Sequence, residues 1–394
     1  MVAAQTRHES LAQGTVTRVP LIKPDLPPYE EVEGAFREIM SSGRITNFGK
    51  YVAQFEEESA AFLGAPVATV SSGTMGLLFS LQAMGLQPGQ RVILPSFTFM
   101  ATAQAIRYAG GVPVFAEVGE DLTLSPADLE ALLDRHDDVA AVIPVHMYGL
   151  PARADEIQRV VDAAAARRGR PISVLYDGAH AFGASRGGRR VGSFGSAEVF
   201  SLSVTKVLVS VEGGMVASND AALIERIRKM RNYGIEASYN THYAGLNGKM
   251  SEFHAIVGVH NLRRLPQLLA QRQEKARAYA GRVEKATSFR LTSWPQDAVH
   301  TFKDFTVMVP PALKDQRDAI IASLAARGVE TRAYFYPPVH EQEFFRQYAD
   351  RSLPVTEDLS RRVITLPFFT TISEEEMDYV AAALREAEQA ASAR

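Results

Sequence analysis

The sequence predicts an α/β fold, a mostly parallel seven-stranded sheet between helices, followed by a smaller C-terminal α+β domain. Two patterns carry this expectation. From about Pro66 to Ala217, short β-branched apolar runs alternate with longer segments of helical periodicity, the signature of strand–helix–strand units. After about Ser251 long helical segments take over before strands return. With 394 residues, 46% hydrophobic and 22% charged, the chain can bury a large core and divide into two domains. We expect a flexible tail over 1–18, a large domain over 19–250 and a small one over 251–394.

Strands are expected at Val67 to Val70, Arg91 to Leu94, Val112 to Val118, Val139 to Val145, Ile172 to Tyr176, Ala197 to Leu202 and Gly214 to Ala217. The helices between them have legible ends. Ser125 is an N-cap with Pro126 at the first helical position and Asp128 in the first turn. A helix from Ala154 to Arg168 stops at Gly169, and another runs from about Asp220 to Asn232. Beyond them we expect two helices, Glu252 to Leu265 and Pro266 to Ala286, with the break at the proline. A strand at Phe302 to Val309, a helix at Leu313 to Arg327, the segment VETRAYFYPPVH and a terminal helix from Ile372 complete the smaller unit.

A formal net charge of -3 offers no electrostatic case for nucleic acid or an anionic membrane as partner. No apolar run is long enough to span a bilayer. The opening MVAAQTRHESLAQGTVTR lacks an apolar stretch and reads as a loose tail, so a cytoplasmic protein is expected. Cysteine is absent, which excludes disulfides, thiolate metal sites and a cysteine nucleophile. No metal site is read from the remaining residues.

In an open parallel sheet, ligands bind beyond the carboxyl ends of the strands, and three such ends carry chemistry. In VSSGTMGLLFSL, Gly73 permits close backbone approach, and free amides with the Thr74 hydroxyl at a helix start suit a phosphate. Alone, the same residues also cap helices that bind nothing. In VLYDGAHAFG, Asp177 ends a buried strand and implies a cation or good donors, or it caps the next turn; His180 follows three residues later and equally suits a core. In SLSVTKVLVSVEGG, Ser201 ends a strand and Lys206 stands among apolar and small residues. A lysine desolvated there is a usable amine nucleophile; otherwise it is a surface lysine after a strand. Together the three supply a phosphate cradle, a carboxylate for a ring nitrogen and an imine-forming amine, the parts that bind pyridoxal 5'-phosphate.

The segments SSGTMGL, ILPSFTFMATAQAI, GGVPVFAEV, PVHMYG, YDGAHAFGA, VGSFGSAEVFSLSVTK, EGGMV, RNYG and GLNGKMSE follow one another with the order and spacing of a known family. On them the chain resembles the DegT/DnrJ/StrS family of pyridoxal-phosphate-dependent nucleotide-sugar aminotransferases, of fold type I. The resemblance implies that Lys206 forms the Schiff base and shifts the substrate proton, that Asp177 pairs with the pyridinium nitrogen, and that Phe99 stacks on the ring. It also implies that His180 sits near the ring's phenolic oxygen and that Gly73, Thr74 and Ser201 bind the phosphate. Asn247 corresponds to a residue that reaches the phosphate from a neighbouring subunit, which implies a homodimer with shared sites. The run around the lysine departs from many relatives in having Leu202, Val204 and Val207, which bears on which sugar is preferred. Lys206 itself stands against the dehydratases of the family, which carry histidine there.

The reaction so implied moves an amino group from L-glutamate to a nucleotide-linked keto-deoxysugar, C4 of a dTDP-4-keto-6-deoxyhexose, with C3 of a 3-keto sugar as the alternative. Arg44, Arg231, Lys249 and His340 are candidates for the sugar diphosphate, and Tyr334, Phe335 and Tyr336 for the sugar or base. Two other classes are weighed: a regulatory protein that binds the cofactor without transfer, and a serine hydrolase suggested by Gly183-Ala184-Ser185-Arg186-Gly187. The latter motif works only as a strand-to-helix turn, and the turn-rich GRRVGSFG after it favours a hairpin.

Overall fold

A computed structural model describes residues 18–236, 239–292 and 294–393. Seven strands form the main sheet: β1 Val67–Val70, β2 Arg91–Pro95, β3 Val112–Ala116, β4 Val139–Val142, β5 Ser173–Asp177, β8 Ala197–Ser201 and β9 Gly214–Ala217. Between β5 and β8 lies a short hairpin of β6 Ser185–Arg186 and β7 Arg189–Arg190. The sheet order is β1-β9-β8-β5-β4-β2-β3. Strands β3, β2, β4, β5 and β8 run parallel, while β9 lies antiparallel between β8 and β1. All seven expected strands are present, β1 and β9 with the expected bounds and the others with ends shifted by one to three residues.

Both faces of the sheet are covered, and the alternation along each strand decides which residue faces which layer. Ile93, Val174, Tyr176 and Phe200 enter one core with Phe55 and Leu265. Val92, Leu94, Leu175 and Val199 enter the other, with Leu78, Phe79 and Leu223. Helix ends follow the local chemistry. Ser125 caps Pro126–Arg135 by accepting from the Asp128 amide, Gly169 ends Ala154–Arg168 in the left-handed region, and Asp220 caps Ala221–Met230.

The expected break at Pro266 does not occur: one helix runs over 35 residues, Glu252–Ala286. A proline inside a helix costs about 3 kcal/mol. Leu262, Leu265, Leu268 and Leu269, buried on either side of it, offset that cost at roughly 1.5–3 kcal/mol per side chain. Up to Leu269 the helix packs into the first core; Ala276, Tyr279 and Val283 belong to another core, with Phe305, Val307, Ile364 and Leu366. That second unit holds an antiparallel sheet of β10 Arg290–Leu291, β11 Phe305–Met308 and β12 Val363–Leu366, and the terminal helix Glu374–Ser392 with its Ser373–Glu376 capping box. The strand expected from Phe302 starts at Phe305. The helix expected at Leu313 starts at Arg317, after a 3-10 segment Pro311–Gln316. Val19 pairs with Val329 and is fully buried in the same core, so the chain enters the C-terminal unit before it builds the sheet. The expected tail falls on 1–18, and 1–17 lie outside the described residues.

Gly214 shows how tightly the sheet meets the helix that follows β1. It pairs with Val70, and a Cβ there would lie 2.4 Å from the Ser72 carbonyl carbon and 2.6 Å from the Gly73 nitrogen. Both are backbone and cannot rotate away. Gly214→Ala is expected to cost on the order of 1–3 kcal/mol, seen as a lower denaturation midpoint at unchanged m-value.

Candidate active site

The carboxyl ends of β1, β5 and β8 open on one cavity of about 420 Å³. At the first, Ser72 caps the helix Gly73–Ala83: its hydroxyl accepts from the Met75 amide at 3.2 Å and its carbonyl from Gly76 at 3.1 Å. The Gly73 and Thr74 amides have no acceptor within the helix, and both residues line the cavity. A Cβ on Gly73 would lie 3.0 Å from the Ser201 Cβ, so the lack of a side chain lets the helix start and the end of β8 meet.

Asp177, 6% exposed, ends β5 at the cavity wall. Its Oδ2 accepts from the Thr102 hydroxyl at 2.7 Å and its Oδ1 from the Ala179 amide at 3.1 Å. With the Thr102 proton spent on the carboxylate, the 3.0 Å contact between Thr98 and Thr102 is donated by Thr98. The Asp177 carbonyl accepts from the His146 amide at 3.0 Å. His146 is itself fixed: its Nδ1 accepts from the Ala152 amide at 2.9 Å, so its Nε2 carries the proton donated to buried Glu198 at 3.1 Å.

Lys206 sits in a loop closed at its base, where the Leu202 carbonyl accepts from the Ser210 amide and the Leu202 amide donates to Gly213. Leu202, Val207 and Leu208 are buried anchors, which accounts for these three apolar residues near the lysine, while Val204 is 40% exposed. Loss of hydration, then the neighbouring Lys303 charge, lowers the Lys206 ammonium from 10.5 to about 8. About a tenth is therefore free amine at pH 7.

His180 also lines the cavity, its ring stacked at 6.2 Å and 14° on Phe335. Its buried Nδ1 has no hydrogen-bond partner, and burial, with Lys206 and Lys303 nearby, holds the imidazole well below its usual pKa and neutral. Phe99 is 52% exposed at the cavity wall, which sets it apart from core packing; Phe97, two residues earlier, is fully buried. Asn247 is exposed and does not line this cavity.

The diphosphate candidates do not converge. Arg231 is buried against Glu56 and Thr69, His340 bonds Ser96 and Glu357, Lys249 donates to Asn232, and Arg44 is exposed away from the cavity. Tyr334 and Phe335 do line it, from an irregular segment rather than a strand. Ser185 lies in the β6–β7 hairpin, not at a strand-to-helix turn, which removes the basis of the hydrolase reading. Sequence reasoning missed Thr102, whose spacing of four from Thr98 places both on one side of a helix start. It also missed Lys303 and Asp304, two charges inside the apolar run TFKDFTVMV. That is the signal that exposed Lys206.

A model of the DegT/DnrJ/EryC1/StrS aminotransferase family matches residues 29–385. The chain is 35% identical over 320 residues to a UDP-N-acetyl-3-dehydro-alpha-D-glucosamine 3-aminotransferase of Acidithiobacillus ferrooxidans, covering 80% of this chain and 82% of the relative. It is 32% identical to a pleiotropic regulatory protein of Geobacillus stearothermophilus, over 89% of this chain and 92% of that one. The crystal structure of DesI in the presence of its TDP-sugar product superposes with a TM-score of 0.87 at 31% identity, covering 96% of this chain and 95% of DesI.

The depressed Lys206 has a consequence for the chain freed of ligands. Unfolding restores its ordinary pKa, so the unfolded state binds more protons between about pH 8 and 10.5, and this group's penalty is full below pH 8 and fades as pH rises through that window. Lys206→Met should stabilise the ligand-free protein at pH 7 by up to about 3 kcal/mol. Denaturant titrations should show the gain shrinking toward pH 10.5.

Proposed function

Because the chain belongs to the DegT/DnrJ/EryC1/StrS aminotransferase family and is a sugar aminotransferase with pyridoxal phosphate as cofactor, we propose that it moves an amino group from L-glutamate to a nucleotide-linked keto-deoxysugar. The observation that carries this reading is an amine lowered to about 8, in the same cavity as a carboxylate fixed from two sides. The surrounding residues fit the cofactor: an orphaned His180 Nδ1, a half-exposed Phe99 ring and unpaired amides at a helix start all await a partner.

When bound, pyridoxal phosphate supplies an electrophilic carbon for amines and a ring that takes up the electron pair left at a deprotonated substrate carbon. In this reading Lys206 holds the cofactor covalently and, once released, carries the proton between donor and acceptor carbons, working near its own pKa. Asp177, kept in place by Thr102 and the Ala179 amide, keeps the ring nitrogen charged. Phe99 covers one ring face, and the neutral His180 faces the phenolic oxygen. Gly73, Thr74 and Ser201 take the phosphate, and Asn247, exposed and outside the lining of its own cavity, joins them from a second copy in a homodimer.

The acceptor read from the resemblance is a dTDP-4-keto-6-deoxyhexose aminated at C4, and the likeness to DesI, solved with a TDP-sugar, supports the nucleotide. Amination at C3 is the second reading, favoured by the 35% identity to a 3-aminotransferase. Glutamate with a panel of nucleotide ketosugars, the product position read by NMR, separates the two. The likeness to a pleiotropic regulatory protein favours a third, passive reading. Against it, the purified protein is expected to convert glutamate to 2-oxoglutarate once per site with a change in its visible spectrum. A spectrum indifferent to every amino donor would leave only the passive reading. Borohydride reduction and peptide mapping should place the cofactor on Lys206, and Lys206→Ala should lower turnover by on the order of 10³-fold or more.

A further inference from the structure

Lys303 and Asp304 form an ion pair at 2.7 Å with side chains 5% and 1% exposed. Such a pair is costly to desolvate and contributes little to stability, so its presence calls for another reason. The pair is also incomplete, because Asp304 Oδ2 is buried without a partner. Lys303 lines the same cavity as Lys206, and one of its three ammonium protons is spent on Asp304. Its position is fixed from the backbone: the Lys303 amide donates to the Tyr148 carbonyl at 2.9 Å, and the Tyr148 hydroxyl donates to the Tyr334 carbonyl. The ammonium lies 5.5 Å from the centre of the Tyr334 ring.

We propose that Lys303 binds a carboxylate of the amino acid donor, with Asp304 as the positioning residue that aims its ammonium. The inference rests on the aminotransferase reading above. Among the described residues lining the cavity, the cations are Lys206 and Lys303, and Lys206 is committed to the chemistry. The cofactor phosphate is served by hydroxyls and helix-start amides. The ketosugar is neutral around its reacting carbon, and its diphosphate is separated from that carbon by the hexose ring. The donor alone carries a carboxylate next to the carbon that reacts, and a nearly buried ammonium with protons to spare meets that anion at the required depth.

The test uses the holoenzyme and two probes: glutarate, which carries the donor's carboxylates but no amine, and thymidine diphosphate. Lys303→Met should weaken glutarate binding, measured calorimetrically, by about ten-fold or more while thymidine diphosphate binding holds. The KM for glutamate should rise. Lys303→Arg should restore most of the glutarate affinity. Lys303→Met leaves Asp304 uncompensated, so the Lys303→Met/Asp304→Asn double variant repeats the measurement with charge balanced, and is expected to show the same loss. Unchanged glutarate binding in the double variant overturns the proposal, as does loss of thymidine diphosphate binding instead, which would assign Lys303 to the nucleotide. Failure of the wild-type protein to react with glutamate would sink the aminotransferase reading itself, an outcome that wild type alone reveals.

Discussion

The structure depends on keeping one ammonium group partly out of water. Removing hydration from Lys206 destabilises its charged form, and the same loss makes its amine available near neutral pH. The loop that carries it has little regular structure and is held by Leu202 at both ends and by buried Val207 and Leu208 beneath. Apolar packing of Leu202, Val207 and Leu208 thus offsets the electrostatic cost.

Other buried charges follow a common rule: each carboxylate near the sheet is met by fixed donors. Glu198 accepts from the Gly192 and Phe194 amides as well as from His146. Glu56 accepts from the Thr69 amide and hydroxyl and pairs with Arg231 and Arg228. Glu252, at the start of the long helix, accepts from the Gly49 and Tyr51 amides. Glu198 fixes the loop before β8, Glu252 the start of the helix Lys50–Leu63, and Glu56 ties β1 to Arg228 and Arg231. Asp304 departs from the rule, which is why its neighbour reads as functional.

Much of this was legible in the sequence because strands of a parallel sheet are continuous apolar runs with chemistry at their ends. Asp177, Ser201 and Lys206 stand out by interrupting such runs, and the Ser125 and Asp220 caps by starting helices. The unbroken helix through Pro266 was not legible, since local propensity argues for a break and only tertiary burial of the surrounding leucines overrides it. The diphosphate candidates failed for a related reason: a charge in the sequence does not reveal whether it is already paired, and Arg231 and His340 are. Thr102 was not legible as a site residue because it meets the Asp177 carboxylate through a contact distant in sequence.

The continuity of the long helix bears directly on the chemistry. The cavity takes Asp177, Ser201 and Lys206 from the sheet but Lys303, Tyr334 and Phe335 from the C-terminal unit, so it exists only while the two are in register. Glu252–Ala286 packs its first half on the sheet core and its second half on the C-terminal core, and a break at Pro266 would place a hinge between the two halves of the site. Two further ties lie closer to the cavity. The Thr301 hydroxyl donates to the His180 carbonyl at 2.7 Å, and the Val339 amide donates to the Ser96 carbonyl at 2.9 Å, just beyond β2. The helix sets the coarse alignment and these bonds the fine one. A rigid frame of this kind lets an exposed ring, an orphaned imidazole and a spare ammonium stay aimed at one volume without ligand to hold them there.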